Sequence, residues 1–223
     1  WDISPEVLSE LLGDQTLSIK IVGKVNNINS SLHSKESANV DLDKPTIIYE
    51  ADAVSIVPFT EITASDDAFV RRKNYVDVNY GTGLLNLKQG SSDDNNVTRR
   101  AILKFNLEDI SGTINDATIK LTSANTQLNT IEAYFVADDN WSEDNVTYNN
   151  KPSFSAQLGT SQTTSLSEPI IEWDVTSQVQ TEALGDGILS VYLKTTDIGV
   201  LTKFYDKDYQ ILENRPTLVI NEP

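Results

Sequence analysis

Arg99-Arg100-Ala101-Ile102-Leu103-Lys104-Phe105-Asn106-Leu107 places Ala101, Leu103, Phe105 and Leu107 on one face and Arg100, Ile102, Lys104 and Asn106 on the other. A period of two is the mark of a strand with one buried side. The odd-numbered side is therefore the expected core face. Outward from this stretch the same parity recurs in Ala117 to Thr122, in Ile131 to Phe135, and in Leu189, Val191 and Leu193. Strands with one apolar face each bury them by packing sheet on sheet, so the chain is expected to be all-β, with two antiparallel sheets face to face. Asp67 to Arg72 and Leu84 to Lys88 read as further strands on either side of a turn-rich stretch from Asn74 to Gly83.

A second stretch decides the domain organisation. Trp173-Asp174-Val175-Thr176 through Gly185-Asp186-Gly187-Ile188-Leu189-Ser190 is repeated at the start of the chain by Trp1-Asp2-Ile3-Ser4 through Gly13-Asp14-Gln15-Thr16-Leu17-Ser18. Residues 1–21 and 173–193 agree at nine positions: Trp1, Asp2, Val7, Glu10, Leu12, Gly13, Asp14, Leu17 and Ser18. Average residue usage would give about one or two. Lys44-Pro45-Thr46 then matches Arg215-Pro216-Thr217. Residues 1–50 are thus read as the C-terminal part of a preceding repeat, 51–60 as a linker or strand, and 61–223 as one complete unit. A third of a domain exposes unpaired strand edges. It is expected to pack on its own chain or to supply strands to a neighbouring copy, head to tail, which would build a filament.

Composition narrows the function classes. The 33 acidic residues against 17 basic ones give a net charge of −16. Nucleic acid and anionic lipid attract basic footprints, and no apolar run approaches about 18 residues, so neither a nucleic-acid partner nor membrane insertion is expected. With no Cys and only His33 as a histidine, a thiol nucleophile, a zinc cluster and a Ser-His triad are all out of reach. The chain is expected not to be an enzyme.

Three blocks, in order, carry a family resemblance: the strand from Arg99 to Leu107, the block Trp141-Ser142-Glu143-Asp144-Asn145-Val146-Thr147-Tyr148-Asn149-Asn150-Lys151-Pro152, and Trp173-Asp174-Val175-Thr176. They resemble the signature blocks of the DNRLRE domains, also classed as carbohydrate-binding module family 96, over about residues 61–223. The resemblance implies a jelly-roll-type β-sandwich of secreted or surface-attached proteins, some of whose members hold alginate or related anionic polysaccharides for an attached lyase, which would make the chain an appendage of a polysaccharide lyase or glycoside hydrolase. Asn106 stands where the family usually has Asp, and Tyr148 where it often has Trp. The tail keeps Ser34-Lys35-Glu36 where the complete unit has Asp206-Lys207-Asp208.

Candidate contacts follow from residue type. Arg100, Lys104, Lys120, Tyr134, Tyr192 and Lys194 sit opposite core positions on their strands. Arg offers a bidentate fork to a carboxylate and Tyr an apolar platform with a hydroxyl, a combination suited to an acidic sugar polymer. Arg71 and Arg72, in the densest basic run, are further candidates. They point to opposite faces of a strand, and Arg71 has Asp77 as an alternative partner. Oxygen-rich turns at Asp138, Asp139, Asp206 and Asp208 make structural Ca²⁺ a candidate cofactor. The expected function is non-catalytic binding of an anionic polysaccharide such as alginate outside the cell, secreted or on its surface. The alternative is a structural repeat of a bacterial adhesin or extracellular filament, with neighbouring copies of itself as partners.

Overall fold

The computed structural model of the chain describes residues 59–92, 96–110, 112–165 and 167–221. The expectations about the partial repeat at 1–50 and about 51–58 lie outside the described residues. Eleven strands and one α-helix are described: β1 Phe59–Thr63, β2 Asp66–Arg71, β3 Leu85–Lys88, β4 Arg99–Asn106, β5 Asp116–Thr122, β6 Thr130–Val136, β7 Phe154–Thr163, β8 Ile170–Asp174, α1 Thr176–Ala183, β9 Ile188–Thr195, β10 Leu201–Phe204 and β11 Thr217–Asn221.

They form a β-sandwich of two antiparallel sheets. The smaller sheet runs β1-β11-β5-β8. The larger runs β10-β3-β4-β9-β6-β7, with β2 also paired to β4. The inner faces supply the core: Ala101, Leu103 and Phe105 of β4, Leu189, Val191 and Leu193 of β9, and Ile131 and Ala133 of β6 meet Ile119, Leu121, Trp173, Leu218 and Ile220 from the smaller sheet. These are the odd-numbered positions of β4, β9 and β6, as the alternation of the sequence requires. Helix α1 closes one end. Asp174 Oδ1 accepts from the N–H and the hydroxyl of Thr176 at 3.0 and 2.6 Å, so the first turn has a carboxylate partner, and Val179 is buried in the core.

The larger sheet has a second buried layer on its outer face. Cross-strand register aligns Ala68, Ile102, Tyr192 and Tyr134 in one row. The segment between β6 and β7 folds over that row, burying Trp141 and Val146 against Ala68, Val70, Ile102, Val136 and Tyr192. Trp141 Nε1 donates to the buried Ser190 hydroxyl at 3.1 Å. A polar clamp holds the same cover at its other side. Glu143 Oε2 accepts from the N–H of Asp67 at 3.1 Å, Glu143 Oε1 lies 3.0 Å from Lys207 Nζ, and Asp66 Oδ1 accepts from the N–H of Glu143 at 3.2 Å. The cover comes so close to Gly81 that a Cβ there would stand 2.1 Å from the Glu143 carbonyl oxygen.

Candidate functional site

The cover occupies part of the outer face and leaves a groove of about 370 Å³ beside it. Its floor is aromatic. Phe154, at the start of β7, stacks on Tyr192 of β9 with centroids 4.6 Å apart and tilts against Tyr134 of β6 at 4.9 Å. Tyr148, from the cover, is packed against the same cluster. Phe154 is 39% exposed, so its ring is the most accessible part of a floor whose Tyr192 is 2% exposed.

Four cations border this floor. Arg72 follows β2 and holds its guanidinium 4.8 Å from the Tyr148 ring centroid, and Lys151 holds its ammonium 4.9 Å from the same centroid and 5.6 Å from that of Tyr192. Arg100 of β4 is fixed by the carbonyls of Lys88 and Arg99, both at 3.1 Å, and by the side chain of Gln89. Lys194 of β9 lies 3.2 Å from Glu132 Oε2 and 4.5 Å from the Tyr134 centroid. Each cation over a ring contributes about 0.5–2 kcal/mol, with the larger values where water is excluded.

The charges press on one another. Burial lowers the Lys151 pKa, and the neighbouring Arg72 and Arg100 lower it further. For Lys194 burial acts in the same direction but is outweighed by hydrogen bonds and charge from Tyr134 and Glu132, which raise its pKa. Among the described residues no carboxylate pairs with Arg72 or Lys151. An anion entering the groove therefore meets cations already desolvated and in place, which is the arrangement that gains most from a charge-assisted hydrogen bond.

The residues singled out in the sequence fall in three places. Arg72, Arg100, Tyr192 and Lys194 line the groove, and Tyr134 lies beneath its edge. Lys104 shares the face but is covered: its ammonium lies 3.6 Å from Asp66, 4.7 Å from the Trp141 centroid, and donates to the Trp141 carbonyl. Lys120 is on β5 of the other sheet, in an exposed pair with Glu172 at 3.4 Å. Arg71 points away from the groove, with its guanidinium 3.5 Å from the Tyr75 centroid and Nε donating to the Asn96 carbonyl at 2.8 Å. Asp77, its expected alternative partner, instead accepts from Asn149 at 2.6 Å. Tyr148, Lys151 and Phe154 were not among the candidates. The spacing of Tyr148 and Lys151 within the signature block was the available signal.

The acidic candidates separate as well. Asp138 accepts from the N–H and side chain of Asn140 at 3.1 and 3.0 Å, and burial raises the pKa of Asp139. Asp206 is buried beside Asp67, while Asp208 pairs with Lys207 at 3.0 Å. Among the described residues no group of three or more His, Cys, Asp or Glu side chains gathers closely enough to hold a metal ion. No helix among the described residues is long and apolar enough to cross a membrane.

Compared with known proteins, residues 58–222 match the model of carbohydrate-binding module family 96. No curated protein matches the chain.

Proposed function

The chain belongs to carbohydrate-binding module family 96, and on that premise we propose that it binds an anionic polysaccharide such as alginate, outside the cell and without catalysis, in the groove on the outer face of its larger sheet. The observation that carries this reading is the local reversal of charge. A chain of net charge −16 gathers Arg72, Arg100, Lys151 and Lys194 around one aromatic floor. Rings give the apolar faces of sugars a platform, and the cations select those sugars that carry carboxylates. A neutral glycan would offer Arg72 and Lys151 no charge, and would forgo the charge-assisted hydrogen bonds that a uronate supplies.

The test is isothermal titration with alginate and polygalacturonate against a neutral glucan of similar length, in low and high salt. Binding of the uronates that weakens with salt is the expected result. Equal binding of the neutral polymer, indifferent to salt, would remove the anionic part of the reading.

A second reading, self-association, rests on the sequence repeat between residues 1–21 and 173–193. It expects head-to-tail oligomers, and light scattering on the chain decides it. A monomer at all concentrations would discard it.

A further inference from the structure

Arg99 at the start of β4 stands in register with Arg71 on β2 and also with Lys88 on β3. Like charges directly opposite one another in a sheet oppose folding. All three side chains are half-buried, and among the described residues no carboxylate pairs with any of them. The Arg99 guanidinium makes no hydrogen bond among the described residues, and burial followed by repulsion from Arg71 lowers its pKa. Arg71 is held on Tyr75 through its ring contact and on Asn96 through Nε, which leaves its Nη nitrogens without a partner among the described residues.

This row is continuous with the groove. Arg71 and Arg72 are chain neighbours, as are Arg99 and Arg100, and neighbours at or near a strand end point to opposite sides. Each of the two strands thus gives one Arg to the groove and one to the row, with neighbouring Cα atoms about 3.8 Å apart. A chain lying past Arg72 and Arg100 meets Arg71, Arg99 and Lys88 once it turns over the ends of β2 and β4.

We propose that the anion-binding surface continues over this edge, so that the ligand is a long carboxylated polysaccharide held by the groove and the row together. The inference rests on the function proposed above for the groove. The ligand adds negative charge beside three cations that no described carboxylate pairs with, and a second attachment on one polymer raises affinity through effective concentration. A short oligouronate fills the groove and never reaches the row.

The experiment measures the affinity of the whole chain for a ladder of oligouronates, from trimer to long oligomer, in the native sequence and in Arg71→Gln/Arg99→Gln. In the native chain the long oligomer is expected to bind about tenfold or more tighter than the trimer. In the variant that ratio is expected to fall close to one. A ratio that stays high in the variant overturns the inference and leaves the groove intact. If no oligouronate of any length binds the native chain, the groove reading fails and this one with it. Removing like charges offsets the lost Arg71 contacts with Tyr75 and Asn96, so the melting temperature is expected to change little. Should the variant nonetheless unfold, Lys88→Gln supplies the same comparison from the other flank of Arg99, and an unchanged ratio there is equally decisive against the row.

Discussion

The backbone N–H of Lys207 donates to Asp67 Oδ2 at 2.7 Å, joining positions 140 residues apart in the chain. That bond lowers the Asp67 pKa, but burial outweighs it, and with the nearby Asp206 and Glu143 carboxylates raises the value to about 7. An acid with a raised pKa in the folded state keeps a proton that the unfolded chain has already released. Its contribution to stability therefore falls as pH rises from about 4 to about 7 and is level outside that window, by a total on the order of a few kcal/mol. Comparing urea unfolding of the native chain with Asp67→Asn across this range isolates the effect. The variant should gain stability relative to the native chain as pH rises. Parallel curves would mean Asp67 ionises normally.

Arg72→Ala and Lys151→Ala should each weaken binding to alginate by roughly tenfold, the value of one lost charge-assisted contact. The melting temperature should change little in either, because each removal relieves repulsion between the two cations while it forfeits a contact over the Tyr148 ring. Calorimetry of binding and of unfolding on the same samples separates the two effects.

Trp141→Ala should cost about 3–5 kcal/mol of stability, measured by denaturant unfolding. The indole fills the outer layer, donates to Ser190 and stacks under Lys104. Since Tyr148 and Lys151 ride on the same cover, affinity for alginate should fall as well.

Gly81→Ala tests the fit of the cover from below. Its new Cβ would meet backbone, not a flexible side chain, at 2.1 Å. A loss of about 1–3 kcal/mol is expected, read as a lowered denaturant midpoint.

Lys120→Ala should leave alginate affinity unchanged and shift stability by less than about 1 kcal/mol, since its pair with Glu172 is exposed. A clear fall in affinity would mean the smaller sheet also touches the ligand.

The sandwich was legible because alternation is a local property. The odd positions of β4 name its core face without reference to any partner. Alternation also places Arg100, Tyr192 and Lys194 together opposite the core, but it cannot say what lies above them. Lys104 and Tyr192 look solvated in sequence and are in fact under the cover, because Trp141 and Val146 arrive from the connection after β6. Nor does parity distinguish sheets, so Lys120 reads like Lys104 although they lie on different ones. Strand β7 escaped for the opposite reason. As an edge strand it buries Leu158 alone, and its polar remainder carries no period.

The cover has a further meaning for how such a module changes. Its anchors, Trp141, Val146 and Glu143, engage the sheet, whereas Tyr148 and Lys151 come after them and turn to the groove. Frame and recognition are thereby assigned to different parts of one connection. Copies that keep the anchors can exchange the short stretch beyond Val146 and grip a different polymer, with the sandwich underneath unchanged.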